Sequence, residues 1–592
     1  MEYKLMGKNN YESDILKTIF DNRGLGDYRD FISMGIEDIN DPSLFKNMQE
    51  GVELLDKHIL NKSRIHILID ADLDGFMSSA IIFNYIKELG YDMDLITWNN
   101  HEGKQHGIQV VDGEIGEFST QGLDLLIVPD AGSSDYKAHN ILAEKGIDVL
   151  ILDHHNIEED GMEKTHADNH SLVVINCQDG VYPNNTLSGA GVTMKFVEAM
   201  DEYLDKEISI NLLDLAAIGN IGDMMDMTNK ETHLLTQMGL KNIKNPLILA
   251  IIKKNEFSIG DKLNMIKVAF NIAPLFNAAS RVGTLEEKDN IFRALTDDTI
   301  KVEYTKRGCK PELVFLYEDM ARQMTNIKSK QDRQVKKALP ILEEKIKEKN
   351  LNRNNIIFMD VTKHVESSFT GLVANKLQDL YKKPILLLRQ KQNNPKEYGG
   401  SGRNYKHGNI EDLQKILKDT GCFDKVAGHD NAFGIGITKG NVKKAYDMAS
   451  KALEGYEVHM GHDVDFIFDV SELKMDYITK IDQLFDFWSR GIEECKIAVE
   501  NVRVENTEKN FKVTKRKGFS FRVGGISYVK AYGVSSEMLD KMQNSGIMNL
   551  TVVGKPSIND FAGLRNPQVD IIDFEFEPAV KDISDMSIEE LF

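Results

Sequence analysis

Three strand-like apolar runs end in acidic side chains: RIHILI runs into Asp70, LDLLIVP into Asp130, and VLIL into Asp153. The first continues as DADLDG, which places Asp70, Asp72 and Asp74 within five residues, and the third continues as DHH, adding His154 and His155. In an open parallel sheet the carboxyl ends of the strands share one edge, and ligands bind there. A single aspartate at such a place is an ordinary helix N-cap. Several together are different, because a cap uses one carboxylate and the repulsion among the rest needs a cation to offset it. DADLDG also imitates the start of an EF-hand loop, but position 12 is Ile81 rather than Glu and the preceding segment reads as a strand. Oxygen donors with one or two imidazoles and no thiolate suit Mn²⁺ or Mg²⁺, whereas structural zinc favours Cys. Hard cations beside shared carboxylates point to two-metal hydrolysis of a phosphate ester. Adjacent His154 and His155 point in different directions, so one can ligate a metal while the other faces the phosphate.

The elements that must carry these side chains follow from the pattern of apolar runs. With 592 residues, the chain has room for about four domains. Its 41% apolar and 28% charged residues are those of a globular protein rather than a disordered one. Cys177, Cys309, Cys422 and Cys495 form no short-spaced pair, which argues against a zinc module or a disulfide framework and fits a reducing cytoplasm. The N-terminus lacks a signal-peptide core, and no run approaches the ~18 apolar residues of a membrane helix. A helical segment is expected over 1–60, then strands alternating with amphipathic helices over 61–310, as in βαβ units with a parallel sheet. Residues 311–350 read as one or two long charged helices, broken or kinked near Pro340, bridging domains. A second α/β pattern with a Gly-rich hairpin, GGSGR, covers 351–457. Short strands over 458–580 suggest a small barrel, and 581–592 form an acidic tail.

DADLDG, PDAG at 129–132, DHH at 153–155 and GNIGD at 219–223, in this order and spacing, resemble the four motifs of the DHH phosphoesterase superfamily. The resemblance runs along the whole chain to the RecJ-type single-strand exonucleases, through NRG with DPSLFKNM, LSGAGV at 187–192, PLFNAASRVG at 274–283, GLVANKL at 371–377, GSGR at 400–403, GHDNAFGIG at 428–436, and FAGLRNPQVDIIDFEF near the end. It implies an α/β protein in which a DHH phosphoesterase domain with a parallel sheet is linked by a long helical segment to a smaller DHH-associated α/β domain, followed by a C-terminal OB-like β-barrel. It further implies two divalent metal ions, Mn²⁺ or Mg²⁺. Asp72 and Asp130 would hold one, with Asp70 assisting, and Asp74, Asp130, His154 and Asp223 the other, with Asp130 bridging. Asp153 would orient a histidine, and His155 would contact the scissile phosphate. Two positions depart from the family pattern: Leu68 stands where many superfamily members have a histidine, and Ala427 replaces the first Gly of a GGH motif.

For the substrate, the GGSGR turn would offer backbone N–H groups to a terminal phosphate, with Ser401 and Arg403 as partners; His429 would lie nearby and Arg281 would approach from the first domain. WNNHEGKQHGI, 98–108, stands where RecJ proteins carry an Arg and a Tyr-Gly-Leu near the strand path, and here offers His101, Lys104 and His106. Lys512, Lys515, Arg516, Lys517 and Arg522 interleave with Phe519 and Phe521, a combination OB-folds use on single strands. A net charge of −21 argues at first against nucleic acid, yet a local basic groove suffices on an acidic body. The expected function is a 5′ to 3′ single-stranded DNA exonuclease releasing 5′-mononucleotides in repair, recombination or phage DNA metabolism. The expected protein is a monomer in the cytoplasm of a bacterium or phage-infected host, without membrane contact, fed by a helicase or single-strand-binding protein. The alternatives are a DHH phosphodiesterase for short oligoribonucleotides or cyclic dinucleotides, and a non-catalytic replication scaffold.

Overall fold

The computed structural model describes residues 1–579 apart from 104, 158–171, 261, 392, 430, 459–460, 508–509 and 562–563. The acidic tail therefore lies outside the described residues, as does Lys104.

The first α/β unit is built on five parallel strands, β1 (Ile65–Ile69), β2 (Ile96–Asn100), β3 (Leu125–Pro129), β4 (Asp148–Asp153) and β5 (Leu172–Asn176), in the order β2-β1-β3-β4-β5. Every residue of β1 and β3 is buried, because crossover helices cover both faces of a parallel sheet. The order reverses between β1 and β3, where an open sheet leaves a crevice beyond its carboxyl ends. Asp70 follows β1 and Asp130 follows β3, so both stand in that crevice.

Three helices close around it. Helix α1 (Leu73–Glu88) is capped by Asp72, whose side chain accepts from the amides of Asp74 and Gly75. Helix α2 (Gly189–Leu204) is capped by Ser188, and helix α3 (Leu213–Gly222) ends at Asp223. Farther along, helix α4 (Ala273–Val282) carries Arg281 in its last turn.

Of the readings left open at Pro340, one helix or two, the structure shows one: α5 (Leu316–Glu348) is a helix of 33 residues with the proline inside it. Proline removes one helical hydrogen bond and crowds the preceding turn, but packing on either side holds the helix together. Leu316, Met320, Ala321, Met324 and Ile327 lie in the core of the first unit. Val335, Ala338, Leu342 and Ile346 lie in a core of the second. The helix thus bridges the two units, as its length and charge suggest.

The second unit is a mixed five-stranded sheet in the order Ile357–Asp360, Ile385–Gln390, β6 (Glu397–Arg403), Ala432–Thr438, Lys425–His429. This corrects the reading of GGSGR as a hairpin turn. It forms the second half of β6, the central strand, so its backbone amides pair with neighbouring strands and are not free to bind an anion. Glycine is needed at 400 for close approach: a Cβ there would stand 2.1 Å from the Leu387 carbonyl oxygen.

The last part of the chain is strand-rich, as expected, with seven strands in one sheet. The described pairing runs in an open order from Phe466–Asp469 at one edge to Phe511–Thr514 at the other. The first sixty residues divide between two cores. Met48 to Leu55 pack into the first unit, whereas Ile15, Leu16, Ile19, Phe20 and Phe31 complete the core of the C-terminal sheet. Glu2–Leu5 pairs in parallel with Gly461–Val464, and Arg23 makes a bidentate pair with Asp465 at 2.7 and 2.8 Å. Among the described residues no helix is long and apolar enough to cross a membrane.

Phe20 is fully buried among residues more than four hundred positions away in sequence. Phe20→Ala is expected to cost about 3–5 kcal/mol of C-terminal-domain stability. In a Trp98→Phe background, where Trp488 is the remaining tryptophan, its fluorescence should report a lower urea midpoint; an unchanged midpoint would show that the N-terminal helix is not part of that core.

Candidate metal centre

The crevice gathers residues from four stretches of sequence. Donor atoms of Asp70, Asp72 and Asp130 lie within 4.8 Å of one another, as do those of Asp74, His154 and Asp223, and those of Asp130, His154 and His155. His154 Nε2 stands 3.2 Å from Asp130 Oδ1, 3.5 Å from Asp223 Oδ2 and 3.8 Å from Asp74 Oδ2. Asp130 joins the two ends of the cluster, and its backbone has φ 66°. That left-handed conformation is uncommon outside glycine and persists where the surroundings enforce it.

Neighbouring backbone fixes each donor. Asp74 accepts from Ser188 Oγ at 2.8 Å and from the Gly189 and Ala190 amides at 2.6 and 3.1 Å, all at the N-terminus of α2. Here the small residues of LSGAGV and GNIGD have their physical reason. A Cβ on Gly189 would lie 2.4 Å from Asp130 Oδ1, and one on Gly219 would lie 2.4 Å from Asp74 Oδ1. Asp153 does not face the cluster. Its Oδ1 accepts from the His154 amide at 2.7 Å and contacts His155 Nδ1 at 2.8 Å, while Oδ2 accepts from the Ser133 amide at 3.1 Å. Burial alone would raise the Asp153 carboxyl; the hydrogen bond and charge of His155 overcome it and hold the group far below the carboxylate range. Burial alone would lower His155, and the same hydrogen bond raises it to about 9.

The remaining acids are pushed the other way. Burial, then Asp70 and Asp74, raises Asp72 to about 6. Burial, then Asp74 and Asp72, raises Asp223 to about 8, with His155 and Arg490 opposing. Asp130 is raised well above its usual range by burial and by Asp74, Asp72, Asp70 and Asp223. Burial lowers His154, which favours the neutral imidazole a metal ligand must be. Asp130 Oδ1 and His154 Nε2 are buried without a hydrogen-bond partner. A divalent cation answers each of these conditions: it supplies the missing partner and reverses the repulsion. Asp70, Asp72, Asp74, Asp130, His154 and Asp223 fit such ions, and these are the residues the sequence singles out as ligands.

Two histidines of the 98–108 loop belong to this centre in a way the sequence does not reveal. His106 Nδ1 lies 3.0 Å from Asp70 Oδ1, and its ring is 4.5 Å from that of His155. His101 is buried, with Nδ1 2.6 Å from Glu117 Oε1 and Nε2 3.7 Å from Asp70 Oδ1. The reading of His101 as a strand contact is therefore corrected: the loop folds onto Asp70 and, of its two histidines, leaves His106 at the surface of the crevice. The one sequence signal is Leu68, which stands where the resemblance to the DHH motif implies a histidine.

Opposite the cluster lies a basic pair. Burial lowers Arg281, and the charge of Asp72 opposes that shift. Arg403, at the end of β6, is lowered to about 10 by burial and by the charge of Arg281. Two guanidiniums from different units are thus close enough for the charge of one to act on the other. Arg403 donates from Nε to Asn375 Oδ1 at 2.5 Å and from Nη1 to the Gly402 carbonyl at 2.7 Å. With Ser401, Thr370 and Arg389 it lines a cavity of about 760 Å³. The side chain of His429 lies outside the described residues. Lys515, Arg516 and Lys517 are exposed in the turn of the edge hairpin, away from the centre. Phe519 and Phe521 are core residues, with Phe519 stacked on Phe511 and Phe521 on Tyr528; the stacking faces expected of them are not available to a strand.

Because the Gly189 approach sets the position of Asp130, Gly189→Ala is expected to weaken divalent-cation binding by about tenfold or more, the scale on which groups that orient a ligand act. Mn²⁺ titration calorimetry on a variant shown by circular dichroism to be folded checks this, and wild-type affinity would show that the approach is dispensable.

The comparisons with known proteins agree with this geometry. Residues 64–220 match the family model described as the DHH family, N-terminal domain. The SPbeta prophage protein YorK of Bacillus subtilis (strain 168), named for a single-strand DNA-specific exonuclease, is 35% identical over 579 residues, covering 97% of this chain and 98% of that one. The single-stranded-DNA-specific exonuclease RecJ of the same organism is 24% identical, covering 90% of this chain and 64% of its own. In fold, the crystal structure of RecJ in complex with Mn²⁺ from Thermus thermophilus superposes with a TM-score of 0.68 at 16% identity, over 98% of this chain and 79% of that one. With a homologue matched end to end and the DHH motifs gathered at one sheet edge, the chain belongs to the RecJ-type exonuclease family of DHH proteins.

Proposed function

We propose that this protein is a metal-dependent exonuclease that degrades single-stranded DNA from the 5′ end and releases 5′-mononucleotides with two divalent ions. The observation that carries the reading is the buried carboxylate and imidazole cluster with the charge of Asp72 acting on Arg281 and that of Arg281 on Arg403. Asp72 and Asp130, with Asp70, would hold one ion, and Asp74, Asp130, His154 and Asp223 would hold the other. Bound ions of this kind activate water and neutralise charge on the phosphoryl group.

The chain's own side chains do the rest. His155 is held on Asp153 through Nδ1, remains protonated at neutral pH, and so presents Nε2–H to a phosphate oxygen. Arg281, Arg403 and Ser401 take the terminal 5′ phosphate by charge-assisted hydrogen bonds, and His429 ends the edge strand of the same sheet. This end-anchoring sets direction. Lys515, Arg516 and Lys517 add positive charge for the strand farther back, so binding weakens steeply with salt. Residues 61–310 serve as the catalytic domain, 351–457 as the phosphate-anchoring domain and 458–580 as the strand-binding domain. Work on single strands in repair, recombination or phage DNA metabolism fits a supply from a helicase or single-strand-binding protein. The complete donor set weighs against a non-catalytic scaffold, and the C-terminal sheet weighs against a phosphodiesterase for dinucleotides, which has no use for it.

The test is incubation with Mn²⁺ and 5′- or 3′-labelled single-stranded DNA, its duplex, a short RNA and a cyclic dinucleotide. Stepwise release from the 5′ end of the DNA single strand is expected; preferential cleavage of the RNA or the dinucleotide would contradict the reading. His155→Ala should lower kcat by about 10²–10³-fold while leaving Mn²⁺ affinity unchanged. Arg403→Ala should erase the preference for a 5′-phosphate over a 5′-hydroxyl end, and equal loss on both ends would remove Arg403 from the anchoring pocket.

A further inference from the structure

Asp223 sits on a short loop whose shape is not set by its own unit alone. It ends α3, its amide donating to the Gly219 carbonyl at 3.0 Å. The next residue, Met224, has φ 57°, a conformation a side chain rarely adopts unless something enforces it. The helix end closes on itself, the Met224 and Met225 amides donating to the Ile221 and Asn220 carbonyls at 3.1 and 3.0 Å, and the C-terminal domain clamps the same turn from outside. Arg490 Nη1 donates to the Met224 carbonyl, and the Met227 amide donates to the Arg490 carbonyl at 3.2 Å. The residues just before Arg490 are docked in the same manner. Asn264 Nδ2 donates to the Phe485 carbonyl at 2.9 Å and Gln237 Nε2 to the Asp486 carbonyl at 3.2 Å. His233 stacks on Phe487 with ring centres 5.4 Å apart while its Nδ1 contacts the Met227 carbonyl at 3.0 Å.

We propose that Arg490 is a positioning residue of the metal centre: by clamping residues 224–227 it fixes Asp223, so that the C-terminal domain completes a site whose ligands all lie in the catalytic domain. Groups that orient a metal ligand without touching the metal commonly govern affinity by about 10–100-fold. The guanidinium suits this role because its planar fork can hold a carbonyl on one edge while its charge acts on the nearby Asp223 carboxylate. The inference rests on the metal reading above.

The experiment uses the full chain, as wild type, Arg490→Ala and Arg490→Lys. Mn²⁺ binding is measured by titration calorimetry without DNA, and hydrogen exchange is measured over residues 223–228. In Arg490→Ala, affinity for one of the two ions should fall by about 10–100-fold and exchange over 223–228 should quicken, with partial rescue by Lys. The KM for the strand at saturating Mn²⁺ should stay at its wild-type value. Wild-type Mn²⁺ affinity and exchange in Arg490→Ala would overturn the proposal, as would a raised KM with unchanged Mn²⁺ binding, which would make Arg490 a strand contact. A wild-type chain that takes up no Mn²⁺ would remove the metal reading and this inference with it, an outcome distinct from the other two.

Discussion

Repulsion among carboxylates confined to one edge of a buried sheet governs this molecule. Asp70, Asp72, Asp74, Asp130 and Asp223 converge where burial alone would already penalise a single charge. In the chain by itself the strain shows as carboxyls raised to about 6 at Asp72 and about 8 at Asp223, and well above the usual carboxylate range at Asp130. The fold accepts it because each acid is held by backbone that has other reasons to be where it is: strand ends, the start of α2, the end of α3. The same confinement that destabilises the empty charges makes a strong site for hard cations.

A cluster of this kind is chemically unselective, and what surrounds it supplies direction. The linker helix α5 buries one half in each α/β unit, which sets Arg403 of the second unit against Arg281 and the acids of the first. The C-terminal sheet is tied back at two places, by the N-terminal helix in its core and by residues 485–490 at the loop after Asp223. The chain therefore closes on itself, and the metal centre lies where its parts meet.

Much of the centre is legible in the sequence because the chemistry is local to strand ends. Asp70, Asp130 and Asp153 can be read from apolar runs that stop in an acid, and the role of Asp153 in orienting a histidine follows from its place beside His154 and His155. What is not legible depends on contacts between distant residues. His106 looks like a loop histidine until the loop is seen folded onto Asp70. GGSGR looks like a turn, since glycines favour turns, but here it belongs to a central strand in which Gly400 and Gly402 leave no room for a side chain. Phe519 and Phe521 alternate with basic residues as a binding face would, yet alternation only says that two faces differ, and it is the aromatic face that is buried. Arg490 carries no local signal at all, because its partner is a carbonyl more than two hundred and fifty residues away.

The central claim is that one carboxylate, Asp130, joins two cation sites. A crystal structure of the chain grown with Mn²⁺, read by anomalous scattering, tests it most directly. The account requires two peaks about 3.5–4 Å apart, with Asp130 between them, one beside Asp72 and the other beside Asp74, His154 and Asp223. A single peak, or a pair that leaves Asp130 outside, would contradict it.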